Sequence, residues 1–324
     1  MSPKHFWILV FALLGAILLP WRVDAEDARY TLTSHEHGMA LKTPAGKTVF
    51  VYMTRIPPDT ELTANSTCSL YPLYTPAGVR AVDFAPDDHR HHRGVFFAWR
   101  STRFGDESAD FWGPGPEPPE EMRRIRNRAV TLAEADAEEV RVEVENEWMI
   151  GARRVLQEQT EITVTQQRGM YVLDFDYRLR PQVDMHLNRF AYTGFAFRAR
   201  KDGEAIYFGP DGEVDLPSPH HLQPESNWPA EPWYSYVIEL ESGETVGTAV
   251  VDHPDNPPAT WHNVRAIALV NPCIVAPRAI DRKAGERVRL RYRVLVHDGP
   301  PPIPLLDELA QSWRERPELA NDRR

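Results

Sequence analysis

The stretch Val140–Ile150, VRVEVENEWMI, alternates apolar and charged side chains, and this alternation indicates the fold class. Its apolar positions are Val140, Val142, Val144, Trp148 and Ile150, and the positions between them carry Arg141, Glu143, Glu145 and Glu147. Successive side chains of a β-strand point to opposite faces, so this pattern predicts a strand with one face in a core and the other in water. Asn146 interrupts the apolar face.

Two further stretches, Tyr171–Leu179 (YVLDFDYRL) and Val288–Val296 (VRLRYRVLV), repeat this alternation. Antiparallel sheets with one solvated face have such strands. Shorter strand patterns occur at residues 30–33, 39–43, 48–55, 70–74, 79–84, 195–200, 205–208, 234–240 and 245–251. Glu120–Arg128 has mixed charge instead, and we expect it to be solvated.

A helical pattern occurs near the C-terminus, where Ile303, Leu306, Leu309, Ala310 and Trp313 share one helix face. Many short strands, 29 prolines and so little helix predict an all-β protein. We expect a large antiparallel β-sandwich over residues 26–302, followed by a short amphipathic helix and tail over residues 303–324.

The N-terminus is typical of a secretory signal peptide. Lys4 precedes the apolar run Ile8–Leu19, and Val23-Asp24-Ala25 offers a small-x-small cleavage site. The apolar run is shorter than the roughly 20 residues that span a membrane. We therefore expect residues 1–25 to be removed near Ala25 and the mature protein to be periplasmic or secreted, with no membrane partner; an uncleaved anchor is the alternative.

The net charge of −10 and the pI near 5.7 argue against nucleic acid as a partner, because phosphate binding requires a basic surface. They are compatible with a neutral small molecule or oligosaccharide. The chain has two cysteines, Cys68 and Cys273. Export permits a disulfide, but two cysteines so far apart fit buried free thiols equally well.

The stretch His89-Arg90-His91-His92-Arg93 concentrates three of the twelve histidines. On a strand, His89 and His91 would share a face and His92 would point away. The two imidazoles could bind and protonate substrate oxygens, or ligate a metal with a third ligand from elsewhere. The local sequence shows no such ligand, so we predict no metal or cofactor and keep a metal-dependent enzyme as an alternative. Arg93 could orient a substrate oxygen or pin the loop.

A second cluster lies in the proline-rich segment Asp252–Arg265 and contains His253, Trp261, His262 and Arg265. It repeats the chemistry of the first cluster. We predict that the two converge in space on one cleft.

Two carboxylates stand beside aromatic side chains, Asp110 near Trp112 and Glu147 next to Trp148. A carboxylate and a flat ring suit a sugar, whose hydroxyls need acceptors and whose C–H faces pack on rings. In each case a purely structural role is the alternative. The proline-rich loop Pro210–Trp233, with His220, His221 and Trp228, is long enough to be functional.

Several motifs together resemble an exported bacterial family named methane oxygenase PmoA-like. They are Pro86–Gly94, Asp110–Gly113, Asn146–Trp148, Asp252–Pro257, Trp261–Arg265 and Asn271-Pro272, in that order. The resemblance implies a galactose-mutarotase-like supersandwich, a fold that holds sugars in a cleft and in which mutarotases use a His acid and a Glu base. An acidic residue is expected before Gly194, where this chain has Tyr192-Thr193. Mono-oxygenation is not expected, because true methane oxygenase subunits are integral membrane proteins.

These observations predict an exported carbohydrate-active protein that performs acid/base chemistry on a sugar, as an epimerase, lyase or hydrolase. We expect His91 and His262 to transfer protons and Asp110 to act as base or orienter. The predicted substrate-binding residues are His89, Arg93, Trp112, Glu147, His253, Trp261 and Arg265. The alternative is a non-catalytic carbohydrate-binding protein with four tryptophans as platforms: Trp99, Trp112, Trp228 and Trp261.

Overall fold

The computed structural model describes residues 29–64, 66–113 and 122–315. The predicted signal peptide and the last nine residues of the predicted tail lie outside them. The strands, in chain order, are β1 (Thr31–His35), β2 (Gly38–Lys42), β3 (Thr48–Met53), β4 (Ser69–Leu73), β5 (Val95–Ala98), β6 (Thr102–Phe104), β7 (Glu107–Ala109), β8 (Arg123–Ala135), β9 (Glu139–Ile150), β10 (Arg153–Gln167), β11 (Met170–Pro181), β12 (Met185–Leu187), β13 (Gly194–Arg198), β14 (Gly203–Gly209), β15 (Gly212–Glu213), β16 (Trp233–Leu240), β17 (Thr245–Asp252), β18 (Thr260–Trp261), β19 (Leu269–Val270), β20 (Pro272–Cys273), β21 (Ile280–Arg282) and β22 (Val288–Asp298). Helix α1 spans Ile303–Arg314, and 3₁₀ turns span Pro224–Ser226 and Arg265–Ile267.

The described strands form two large antiparallel sheets. One has seven strands in the order β1-β2-β3-β4-β5-β13-β19, and the other has nine in the order β15-β14-β16-β17-β22-β11-β10-β9-β8. A smaller sheet, β21-β12-β6-β7, and the pair β18-β20 complete the fold. The predicted all-β antiparallel sandwich with a short C-terminal helix is confirmed.

The two large sheets bury one apolar core between them. Phe97 of β5 stacks on Tyr177 of β11 with ring centroids 4.6 Å apart, and Phe195 of β13 stacks on Tyr292 of β22 at 4.5 Å. Side chains alternate along β5, so Phe96 points away from this core and packs against Trp112. The seven-stranded sheet therefore has a second, outward apolar face.

Helix α1 covers the outer face of the nine-stranded sheet. Leu306, Leu309, Ala310 and Trp313 are buried there, which confirms the predicted apolar face of the helix. No helix among the described residues is long and apolar enough to cross a membrane.

Two long strands differ from the sequence-based expectation. Of the charged stretch expected to be solvated, Glu120 and Glu121 lie outside the described residues, whereas Arg123–Arg128 begin strand β8 at the edge of the nine-stranded sheet, where alternate side chains can reach water. Strand β10 lacks a clear alternation in the sequence, because its buried face includes the polar residues Glu158 and Thr160. Residues 79–84, in contrast, form isolated bridges and no strand.

The two cysteines are buried free thiols. Burial raises the pKa of Cys68 to about 11 and that of Cys273 to about 12. Both therefore stay protonated and unreactive near neutral pH.

Candidate functional site: a pocket lined by histidines

Residues 89–92 form a β-turn and not the expected strand, because the backbone N–H of His92 donates to the carbonyl of His89 (2.8 Å). In a turn, the side chains of neighbouring residues no longer point to opposite faces as they do in a strand. The three imidazoles gather as a result: His89 stacks on His92 with centroids 4.8 Å apart, and His91 meets His92 edge-on at 4.5 Å. All three line one pocket, so the expectation that His92 points away was wrong.

Buried arginines hold this turn against the outer face of the seven-stranded sheet. Arg93 donates to the carbonyls of His91 (3.0 Å) and Trp112 (3.3 Å), and its guanidinium lies 4.4 Å from the Phe96 ring centroid. Arg198 of β13 binds both carboxylate oxygens of Asp88 at 2.8 and 3.0 Å. Both contacts come from Nη2 of Arg198, and this charge-assisted interaction ties the turn to β13. Arg93 thus pins the loop, and it is not among the residues that line the pocket.

Glycine at position 94 lets the turn enter strand β5. Its φ is 64°, and a Cβ there would collide with the carbonyl oxygen of Leu70. Both conditions exclude a larger side chain without strain.

The pocket has a volume of about 420 Å³, within the ~300–1,000 Å³ range usual for small-molecule sites. Four loops contribute to it: the histidine turn, the residues before β13, the proline-rich loop and the segment after β18. The described lining residues are His89, His91, His92, Tyr192, Pro219, His220, His221, His262, Val264, Ile267 and Leu269. The predicted convergence of the two clusters is therefore found for His262.

Burial makes several of these imidazoles neutral. It lowers the pKa of His91 to about 3, helped by the nearby His89 and Arg93, and it lowers the pKa of His262 to about 4, helped by His221. The pKa of His92 is also lowered by burial. A neutral imidazole has one N–H donor and one nitrogen acceptor, so each ring can either donate a hydrogen bond to a hydroxyl group or accept one from it.

Tyr192 stands where an acidic residue was expected, and its ring lies 5.1 Å from that of His262 and 5.4 Å from that of Trp112. Arg100 donates a hydrogen bond to its hydroxyl. Burial raises the pKa of Tyr192 although Arg100 opposes this, so the phenol keeps its proton near neutral pH.

Asp110 does not line the pocket, but it shapes it. Its Oδ1 accepts the backbone N–H groups of Trp112 (2.9 Å) and Gly113 (3.2 Å), and its Oδ2 lies 3.6 Å from Arg100 Nε. The turn held in this way brings Gly113 against the ring of His91. Asp110 therefore lies behind the pocket wall, where it orients the backbone of Trp112 and Gly113.

Three other predicted binding residues lie away from the pocket. Glu147 is on the outer face of β9 and binds Arg126 (2.5 Å) and Arg154 (2.9 Å). His253 packs edge-on against Trp313 of α1, with centroids 4.9 Å apart. Arg265 lies over the rings of Tyr207 and Trp228, at 5.4 Å from each centroid. Each already has a structural partner, which is why it does not point into the cleft.

The four predicted tryptophan platforms are all in the core. Trp99 and Trp112 are 0% exposed, Trp261 is 1% and Trp228 is 2%. Trp228 and Trp261 donate through Nε1 to the carbonyls of Pro217 (2.8 Å) and Glu231 (3.1 Å). These two bonds anchor the loops around the pocket, and none of the four buried rings is exposed to a ligand.

The sequence interpretation did not assign Tyr192, His92, His220 and His221 to the site. The adjacent histidines at 220 and 221 were visible as a pair, whereas Tyr192 carried no sequence signal beyond the absence of an acid. Within the described residues, no group of three His, Cys, Asp or Glu side chains is arranged to hold a metal ion.

The chain belongs to a family of unknown function, DUF6807, whose model matches residues 43–313. No curated protein matches the chain. The resemblance to the exported PmoA-like family stays a prediction.

Solved structures similar to this chain include three sugar-related proteins. The galactose mutarotase related enzyme of Lactobacillus acidophilus is 7% identical, with a TM-score of 0.37 over 83% of this chain and 97% of its own. A galactose mutarotase-like protein of Lactobacillus casei is 10% identical, with a TM-score of 0.36 over 83% of this chain and 100% of its own. The GH36 alpha-galactosidase AgaA of Geobacillus stearothermophilus is 10% identical, with a TM-score of 0.39 over 83% of this chain. This chain spans 39% of the length of that galactosidase.

Proposed function

We propose that the protein binds an uncharged sugar in the histidine pocket and performs acid/base chemistry on it. The observation that supports this is the meeting of the histidine turn with His262 in one pocket whose described lining has no Asp, Glu, Lys or Arg. A lining without formal charge suits a neutral polyhydroxylated molecule better than an ionic one.

The pocket lining offers partners for both the hydroxyl groups and the C–H faces of a sugar. Imidazole nitrogens donate to and accept from hydroxyl groups. Val264, Ile267 and Leu269, with the ring of Tyr192, offer apolar surface for the C–H faces. A sugar is amphipathic in this way.

The lowered pKa values decide which roles the imidazoles can take. His262 is unprotonated at neutral pH and can accept a proton from the sugar. His91, with a pKa of about 3, carries no imidazolium proton to transfer, so it acts by donating a neutral N–H to a sugar oxygen. In this proposal His91 therefore donates a hydrogen bond, instead of transferring a proton as the sequence predicted.

Proton NMR in D₂O tests the proposal with D-glucose, D-galactose, cellobiose and lactose, and with D-glucuronate and D-galacturonate as anionic counterparts. We expect a neutral sugar to bind and to show C–H exchange, anomer change or cleavage.

His262→Ala should reduce turnover by about 10²–10⁴-fold, the usual contribution of acid/base catalysis, and His91→Ala should also reduce it. His186→Ala, which removes a histidine of β12, is the matched control. Full turnover in both pocket variants, with unchanged circular dichroism, would refute the assignment.

The second candidate is sugar binding without turnover. It is favoured by one observation: among the described lining residues, no carboxylate is available as a base. Calorimetry that shows sugar binding, together with unchanged NMR spectra of every sugar, would select it.

The export of the protein is part of the proposal, because residues 1–25 have the pattern of a signal peptide. A periplasmic or secreted protein would meet such sugars outside the cytoplasm. Cell fractionation of the full-length chain tests this.

A further inference from the structure

Asn227 lies beside His262 because of the backbone pairing of their neighbours. Trp228 and Trp261 exchange hydrogen bonds, N to O at 2.8 and 3.0 Å. Asn227 precedes one tryptophan and His262 follows the other in this antiparallel bridge. The buried tryptophans therefore bring the two side chains together.

The orientation of the Asn227 amide follows from its other contacts. One end of the amide is 2.7 Å from the carbonyl oxygen of Ala191 and 3.3 Å from Oγ1 of Thr260. A carbonyl oxygen can only accept, so this end is the NH₂ group. The other end, Oδ1, then faces Nδ1 of His262 at 2.9 Å.

This orientation determines the tautomer of His262. Oδ1 of an amide only accepts hydrogen bonds, so Nδ1 must donate and therefore carries the imidazole proton. In a neutral ring the lone pair is then on Nε2. Among the described residues none donates a hydrogen bond to Nε2, although His262 is only 2% exposed and lines the pocket.

We propose that Asn227 is a positioning residue that holds His262 as its Nδ1–H tautomer, so that Nε2 accepts the proton removed from the sugar. The O–H or C–H bond of the sugar breaks, its electron pair stays on the sugar, and the new N–H bond forms at Nε2. The resulting imidazolium keeps its Nδ1–H bond to Asn227. The proton returns to the sugar product, so that no oxidant or reductant is needed. This role rests on the proposed function.

The groups around His262 are compatible with a neutral acceptor. The titratable side chains that share the pocket with it are Tyr192, His89, His91, His92, His220 and His221. Burial, with a smaller contribution from His221, lowers the pKa of His262 to about 4. The ring is therefore unprotonated over the neutral range.

Long-range ¹H–¹⁵N NMR of the ligand-free protein tests the tautomer directly. We expect His262 to be protonated on Nδ1 in the wild type and to lose this preference in Asn227→Ala. Asn227→Asp places a carboxylate beside Nδ1 and should raise the pKa of His262, moving its titration to higher pH. Thr260→Val, which removes the weaker of the two amide contacts, is the control and should preserve the tautomer. A wild-type His262 protonated on Nε2 would overturn the inference whether or not a sugar is turned over.

The catalytic consequence is measured with the sugars of the preceding section. In Asn227→Ala we expect kcat to fall by at least tenfold with little change in KM. In Asn227→Asp the acidic limb of the pH–rate profile should move to higher pH, an effect that a merely structural contact would not produce. If the tautomer is as expected but no sugar exchanges or cleaves, the proton-accepting role and the catalytic proposal both fail, and sugar binding remains.

Discussion

Gly113 shows how the absence of one side chain shapes the pocket. A Cβ at this position would lie 2.7 Å from Cδ2 and 2.9 Å from Cγ of His91. Real Cβ atoms do not approach a ring so closely, so His91 can occupy its place only because residue 113 is glycine. The backbone of Gly113 is itself held by Asp110.

Gly113→Ala should therefore move the His91 ring without removing any polar group. We expect sugar affinity to fall by roughly tenfold, since small misplacements of a binding group are costly, while the melting temperature changes little. Calorimetry measures the affinity for whichever of the four neutral sugars binds in the NMR experiment. Gly209→Ala is the matched control, because a Cβ there meets neighbours at an ordinary 3.5 Å. Equal affinities of the two variants would contradict the role given to Gly113.

Glu158 explains why a long strand was hard to recognise. This fully buried carboxylate on β10 accepts hydrogen bonds from Trp148 Nε1 (2.7 Å) and Asn146 Nδ2 (2.8 Å). Asn146, which interrupts the apolar face of β9, is thus its partner. Each is a polar residue on the buried face of its strand, and the hydrogen bond between them satisfies both. Neither residue can be explained without the other.

Among the elements, helix α1 makes its own contribution to stability. Its apolar face packs on Met170, Val172, Trp233, Ala249, Val251 and Leu295 of the nine-stranded sheet. Arg293 links the two by donating to the carbonyl of Leu309 (2.8 Å) and binding Asp174. His253 lies in the same layer, which is why it is absent from the pocket.

Leu306→Ala should lower the free energy of unfolding by about 2–5 kcal/mol, because Leu306 is 0% exposed and its removal leaves a cavity. Gln311→Ala, on the exposed side of the same helix, should change it by no more than about 0.5 kcal/mol. Urea denaturation followed by tryptophan fluorescence measures both. A loss of unfolding free energy in Leu306→Ala smaller than that in Gln311→Ala would mean that α1 does not pack as described.

For the molecule as a whole, the neutral buried histidines make stability depend on pH. The folded-state pKa values of His262 and His91 are lowered to about 4 and about 3, below the ordinary 6.5. Below pH 6.5 the unfolded chain therefore binds more protons than the folded protein. This contribution to stability is complete above that pH and is lost as the pH falls towards the folded-state values. Buried carboxyls such as Asp252, whose pKa burial raises to about 7, act in the opposite direction.

Comparison of variants isolates the histidine contribution. Between pH 7 and pH 5, wild type should lose ~1–2 kcal/mol more unfolding free energy than His262→Gln, which has no proton to gain in the unfolded state. His220→Gln, a change at an exposed histidine, should follow the wild type. Chemical denaturation at the two pH values gives the difference. Parallel pH dependence of wild type and His262→Gln would show that His262 is not buried in its neutral form.

Elements with a local pattern could be predicted from the sequence. The alternation in Val140–Ile150, Tyr171–Leu179 and Val288–Val296 predicted strands β9, β11 and β22, and the spacing of Ile303–Trp313 predicted α1. Alternation and helical periodicity depend only on neighbours a few residues away, and burial of one face then follows. Together with the many short strands, they were sufficient for the fold class.

Which histidines share a pocket depends on contacts between distant parts of the chain. His262 reaches the histidine turn because Trp228 pairs with Trp261 and because Arg198 binds Asp88, and both contacts join residues distant in the chain. Two similar side chains of the segment Asp252–Arg265 pack elsewhere. His253 contacts Trp313, and Arg265 lies over Tyr207 and Trp228. Residue type shows what a side chain can do, but its partner depends on long-range packing. The histidine stretch therefore indicated part of the candidate pocket, and the fold determined which other residues line it.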